Sequence, residues 1–399
     1  MSNTLLTPTA VTREALRVAH QKANFIGNID RQHDKDFAVN GAKIGDSIKI
    51  REPNKFTVTD GATLSAQDTT ESSVTLQLSG RKHVGMGFTT ADLTLSIDDF
   101  SKRFITPAAS VLMANVENDV ISNVYKSVYN QVNNVDSAAT LAKVLAGRKI
   151  LNDNLAPLEM RSIVMDTQMN VDLVDGNKTL FNDVAGLSKN YKEGMQGRAA
   201  GFDFYENTLM PAHTSGTALA TAVYLTDVAG GEATGTAGLL HIDTGATTFK
   251  KGDIISIEDV FSVHPETKAS TGQLKTFVVT ADYAGGEGDL GISPSIVTSG
   301  AGQNVNAAVQ NNKGITKHGG ASAIYNVAMG FHESAFTFAT ADLILPKGVH
   351  FGAREVMDGI SLRVVQDYDI NNDKLPARLD IIYGYLAQRP EFAVRLANN

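Results

Sequence analysis

The far end of this chain limits its fold more than any other stretch. IIYGYLAQRPEFAVRL, Ile381 to Leu396, is apolar and aromatic where chain ends ordinarily fray, and it carries an Arg-Pro-Glu corner in its middle. Read as two strands around that corner, it must sit inside a sheet. Upstream, ISLRVVQ adds a third strand before an Asn-Asp turn. Late strands need partners, and the early part of the chain offers them, so a domain is expected to close across the whole sequence.

The early strands lie in DSIKIREP, with Ile48 and Ile50, and in SVTLQLSGRKHVGMGF, where Val74, Leu76 and Leu78, then Val84, Met86 and Phe88, alternate. Between them NKFTVTDGATLSAQDTTES is rich in Thr and Ser and holds the Asp60-Gly61 turn pair, so the unit reads as a long hairpin with a polar tip. Such a projection has little core of its own and must lean on something else. Ahead of it, Ala15, Leu16, Val18 and Ala19 give a short helix on an arm. After it, Thr106-Pro107 opens a helix in which Leu112, Val116, Val120, Val124 and Val128 recur every four residues. A second helix spans Leu141 to Ile150, and RSIVMD is a short buried strand. From about residue 215 short β-rich runs alternate with Gly, Thr and Ser clusters, which describes a separate small β domain. Mixed or helical character is expected in GASAIYNVAMGFHESAFTF, and a strand in DLILP.

Composition excludes several functions. A formal charge of -8 argues against a nucleic-acid reader, which ordinarily carries a basic excess. With no Cys there are no disulfides, thiolate metal sites or Cys nucleophiles, as suits a reducing cytosol. The N-terminal residues lack signal-peptide character, and no run has the apolar length of a membrane span.

No motif supplies chemistry. GEGDLG, Gly286 to Gly291, fits a dinucleotide pattern, but Pro294 follows where a helix would have to run. DYDINND, Asp367 to Asp373, has acidic groups at calcium-loop spacing, yet Asn372 replaces the sixth-position Gly and Arg378 stands where the bidentate Glu belongs. A calcium-binding module using Asp367, Asp369 and Asp373 is therefore the outlying alternative. The nine His are scattered without zinc spacing, so no metal, cofactor or catalytic residue is expected. His332-Glu333 reads as structural.

Three stretches together resemble the major capsid (coat) proteins of tailed bacteriophages of the P22 type. They are GMQGRAAGFDFYENTLMP, with Gly197-Arg198 and Gly201-Phe202-Asp203 leading to Pro211; KKGDIISIEDVFSVHPETKASTGQLKTFVV, Lys250 to Val279; and YGYLAQRPE, with Tyr383-Gly384 and Arg389-Pro390-Glu391. The resemblance implies an α+β chain with the Hong Kong ninety-seven capsid fold. Its parts would be an N-terminal arm (1–42), an extended loop (43–90), and a peripheral domain with a spine helix from Pro107 to Val132 (91–140, completed by 350–399). An axial domain (141–214, completed by 331–349) and an inserted β-barrel-like domain (215–330) would follow.

It further implies noncovalent self-assembly into hexamers and pentamers of an icosahedral shell, with no lysine-asparagine crosslink. Scaffolding protein, portal protein and a decoration protein are the implied partners. Double-stranded DNA would be enclosed without sequence-specific binding, and a procapsid assembled in the host cytoplasm would expand on packaging. Asp60, Gly61 and Thr63 are the candidate inter-subunit contacts; Tyr383, Gly384, Arg389, Pro390 and Glu391 are the candidate fold-closing residues. An encapsulin-like cellular compartment is the alternative close in fold.

Overall fold

The computed structural model describes residues 8–31, 47–62, 64, 66–67, 71–88, 104–177, 197–221, 224–243, 245–349, 351–357, 359–370 and 375–398. It divides into two compact units, Met1–Arg51, Ser73–Ile121 and Phe336–Gln388 in one, Glu52–Ser72, Ser122–Ala335 and Arg389–Asn399 in the other.

In the first unit the strand Leu375–Ala387 is the axis of an antiparallel sheet. Along one edge it pairs with Gly80–Phe88, from Leu375 opposite Phe88 to Tyr383 opposite Gly80. Along the other it serves two neighbours in turn, Ile360–Gln366 and then Phe336–Thr340, while Phe351–Met357 extends the sheet. Its length follows from that double duty. Leu379, Ile381 and Tyr383 alternate into the core. Buried Asp380 accepts from both Arg363 and Arg378, so its charge is paired twice. Helix α1, Pro8–Lys22, lays Ala15, Leu16, Val18 and Ala19 on the strands Phe351–Met357 and Ile360–Gln366. The stripe read as part of an arm is thus docked, because four apolar side chains on one face gain more from burial than from water.

Helix α2, Thr106–Val124, buries the four-residue stripe Leu112, Val116, Val120 and Val124. It is shorter than the expected Pro107–Val132. A single 3-10 turn, Tyr125–Ser127, follows it, and Gln131–Val132 pairs in parallel with Arg395 and Leu396. The competing bonds explain the early stop. The Asn130 amide donates to the carbonyls of Glu391 (3.1 Å) and Ala393 (3.0 Å), and its own carbonyl accepts from the Arg395 N–H at 2.9 Å.

The second unit holds a mixed sheet in the order Gln131–Val132, Ala393–Asn398, Ile324–His332, Arg161–Met165, Phe202–Glu206, Arg198–Ala199, with Ala212–Thr214 also on Ile324–His332. Helix α3, Leu141–Asp153, covers it: Val144 and Leu151 pack with Ile163, Phe202, Val394 and Leu396. A Cβ at Gly147 would sit 3.1 Å from Leu396, so the glycine lets helix and strand approach.

Between Ala212–Thr214 and Ile324–His332 the chain forms a six-stranded antiparallel sheet, in the order Leu239–Ile242, Gly288–Ser293, Ser270–Val279, Ile254–Val263, Gly314–Lys317, Tyr224–Leu225. Its two edges meet. Thr226 bridges Ile242, the Asp227 N–H donates to the His241 carbonyl at 3.1 Å, and the Asp243 N–H to the Leu225 carbonyl at 3.0 Å, so the sheet closes into a barrel. Tyr224, Phe249, Ile255, Phe277, Leu290 and Ile315 are among the side chains that fill it.

Three local expectations change. IYNVAMGFH and FTFAT are strands, Ile324–His332 and Phe336–Thr340; the second throughout and the first from Val327 to Phe331 are buried on both faces, which erases the period-two signal. DLILP has no ladder partner among the described residues, and Ile344 is exposed beside Pro346. The strands around the Arg-Pro-Glu corner enter different sheets, because Pro390 opens a 3-10 turn and cannot donate to a ladder.

Candidate assembly surfaces

Tyr383 and Gly384 lie where the long strand meets the base of the hairpin. Tyr383 is fully buried, stacks on Phe338 at 6.0 Å between centroids, and donates its hydroxyl to Asp119 at 2.7 Å. Burial, then the Asp119 carboxylate, pushes its pKa far up. Its ring occupies the space over Gly80, where a Cβ would come within 2.6 Å of Cζ. Gly384 is tighter, since a Cβ there would lie 2.2 Å from the Gln77 carbonyl oxygen. Backbone cannot step aside as a flexible side chain does. Gly384→Ala is expected to cost about 2–3 kcal/mol through forced backbone shifts and to lower Tm by roughly 4–10 °C. Differential scanning calorimetry of the unassembled chain checks this, and a Tm within a degree of wild type would remove the constraint.

The hairpin base pairs Ser47–Arg51 with Ser73–Gln77, and the Glu52 N–H donates to the Ser72 carbonyl. Beyond that point the described loop has no strand ladder. Thr57 and Gln67 brace it, with the Thr57 N–H donating to the Gln67 side-chain oxygen at 3.0 Å. Asp60 is exposed and Gly61 turns the tip at φ +116, a conformation that favours glycine. Thr63 lies outside the described residues. The tip is less polar than its Thr-rich sequence suggests. Phe56, Val58 and Leu64 are 60%, 93% and 90% exposed, three large apolar side chains presented to solvent. The sequence does not flag them, because Phe56 and Val58 make a single alternation within a Thr-rich run and Leu64 stands alone between Thr63 and Ser65.

At the corner, the Arg389 N–H donates to the Ala335 carbonyl at 3.0 Å and the guanidinium lies over Phe392. Pro390 begins the turn that carries Glu391 inward. Burial pushes the Glu391 carboxyl up, while Lys55 and Arg389 pull it back. Nearby Lys275, buried against the Tyr129 ring at 4.8 Å, is pushed down to about 8 chiefly by desolvation. In the acidic stretch, Asp367 donates its backbone N–H to the Pro376 carbonyl, and Asp373 lies outside the described residues.

Where the chain passes into the barrel, Asp253 gathers the contacts. Its buried carboxylate accepts from His213 Nε2 (2.9 Å) and from the N–H groups of Gly216 (3.0 Å) and Lys250 (2.8 Å), and Tyr125 donates to His213 Nδ1 at 3.1 Å. Burial lowers the His213 pKa. His318 is held down to about 4, by burial first and then by Arg395 and Lys317. A depressed folded-state pKa gives stability that is full above the unfolded value and is lost as pH falls towards the folded one. Thermal stability is therefore expected to drop between pH about 6.5 and 4, by about 3 kcal/mol from His318. His318→Gln should flatten that window in a pH series of melts. An unchanged slope would count against a buried neutral imidazole.

A family profile described as P22 coat protein, gene protein 5, matches residues 38–397. No curated protein matches the chain. A solved structure from Mycobacterium phage Che8 aligns with a TM-score of 0.50 at 13% identity, over 94% of this chain and 90% of that one. The capsid structure of the cyanophage P-SCSP1u aligns at 0.46 and 12%, over 89% and 84%, and a virus-like particle from Pyrococcus furiosus at 0.40 and 7%, over 97% and 98%.

Proposed function

We infer the working of this protein from one premise: the chain belongs to the P22 coat protein family, whose profile spans residues 38–397. It is a phage major capsid protein with the α+β Hong Kong ninety-seven type of fold, a component of the virion that assembles with copies of itself.

Beyond that premise, we propose that hexamers and pentamers form noncovalently in the host cytoplasm around scaffolding and portal proteins. The procapsid would then expand as double-stranded DNA is packaged. In this reading residues 1–42 are the arm, 43–90 the extended loop, and 91–140 with 350–399 the peripheral domain. Residues 141–214 with 331–349 make the axial domain, and 215–330 the inserted domain. The loop around Asp60, Gly61 and Thr63 reaches a neighbouring subunit, while Tyr383, Gly384, Arg389, Pro390 and Glu391 close the subunit fold. The exposed apolar tip supports this: three large hydrophobic side chains on a strandless loop gain little until another surface covers them. The net negative charge suits a wall that must not adsorb the duplex it encloses.

Electron microscopy of the purified chain, expressed with and without its neighbouring phage genes, tests the proposal. Closed shells of uniform diameter that fill with DNA when the packaging genes are present are expected. Shells that co-purify with an enzyme cargo would favour a cellular compartment, and a small monodisperse species under both conditions would overturn assembly.

A further inference from the structure

The seam of the inserted barrel gathers metal-ligating side chains that no sequence motif joins. Asp227 follows one edge strand, His241 lies on the other, and Glu287 stands in the turn before Gly288–Ser293. One ligand atom from each of these three lies within 4.8 Å of the other two. The imidazole is already oriented. Its Nδ1 donates to Asp289 at 2.8 Å, across the pair His241 opposite Asp289, and Nε2 faces Glu287 at 3.9 Å. Glu232 stands 3.7 Å from Nδ1.

We propose that Asp227, His241 through Nε2, and Glu287 bind a divalent transition-metal ion of borderline softness, zinc foremost, with Asp289 as the positioning residue. The donor set argues the class of ion. One imidazole and two carboxylates suit zinc, manganese, cobalt or nickel, whereas calcium and magnesium ask for an all-oxygen shell. A carboxylate on the far nitrogen is the arrangement that fixes the tautomer and raises the basicity of a metal-bound imidazole. Ligands bonded at about 2.0–2.2 Å stand roughly 3.3 Å apart around a tetrahedral ion, so the three groups need to close by about an ångström or more. The Glu287 side chain, 63% exposed, is free to make that movement. Four carboxylates, those of Asp227, Glu232, Glu287 and Asp289, surround this one imidazole, and a dication relieves their mutual repulsion. The ion would also staple the two edges of the barrel, where Thr226–Ile242 is the described bridge.

The test is isothermal titration of zinc into chelator-stripped full-length protein, with magnesium and calcium as comparison ions, followed by thermal melts of the same samples. One zinc per chain is expected, with little uptake of the hard ions and a Tm that rises with zinc concentration. His241→Ala should weaken binding at least 100-fold. Asp289→Asn should weaken it 10- to 100-fold while leaving the stoichiometry at one. Glu287→Gln, at an exposed side chain that cannot disturb folding, should weaken it tenfold or more, and His264→Ala should bind as wild type. Absence of stoichiometric uptake overturns the proposal. So does uptake that survives both His241→Ala and Glu287→Gln, which would mark an ion held adventitiously elsewhere.

Discussion

Tyr383→Asp is expected to abolish soluble, folded subunit. The substitution puts a carboxylate where a fully buried ring now stands and points it at Asp119, which presently accepts the Tyr383 hydroxyl. Three losses combine. The ring's packing on Phe338 and over Gly80 disappears, at about 3–5 kcal/mol for an aromatic truncation. A buried unpaired charge adds several kcal/mol more, and its nearest polar group repels it. The sum is comparable with the whole stability of an ordinary domain, about 5–15 kcal/mol. Tyr383→Phe keeps the ring and removes one hydrogen bond, so it should cost only about 1–2 kcal/mol and still yield folded chain. Soluble yield and circular dichroism of the two variants read the difference. Normal yield from Tyr383→Asp would mean that the long strand does not close the fold.

Replacing Phe56, Val58 and Leu64 together by Ser should have the opposite profile. Each side chain is more than half exposed, so the unassembled subunit should melt within a degree or two of wild type. Assembly should suffer heavily. Covering such a side chain at an interface is worth about 1.5–3 kcal/mol, and each 1.4 kcal/mol is tenfold in an equilibrium constant. Three per subunit, repeated at every copy of one contact, should raise the concentration needed for closed shells by at least a hundredfold. Light scattering against protein concentration measures it. Unchanged shell yield would place the inter-subunit contact elsewhere than the tip.

What could be read in the sequence was what depends on local period. The α2 stripe, the Leu141–Asp153 helix and the hairpin base advertise themselves through spacing or turn residues, and Arg161–Met165 through its short apolar run. Doubly buried strands do not: Ile324–His332 carries no alternation because both its faces meet protein. Helix ends were legible only to the point where tertiary bonds take over, as Asn130 shows by giving its amide to carbonyls far along the chain. Of the proposed assembly surface, Asp60-Gly61 was visible as a turn, whereas the exposure of Phe56, Val58 and Leu64 appears only in the folded loop. The metal-ligating group was invisible for a plainer reason. Asp227, His241 and Glu287 lie on three separate segments, and only closure of the barrel brings them together.

The strand Ala393–Asn398 lies between Gln131–Val132 and Ile324–His332, inside its sheet. On the ribosome that order imposes a wait. Asn130 must stand without its partner until residue 391 emerges, 261 residues later. At roughly 5–20 residues per second that delay is some tens of seconds. Once Ile324–His332 has emerged and until residue 393 follows it, the sheet has an open slot lined with unpaired backbone. The same slot acts as a check on translation. A chain cut off between residues 333 and 392 keeps every strand of the barrel but lacks the one that fills the gap between Gln131–Val132 and Ile324–His332, so a premature stop late in the chain would leave that sheet split.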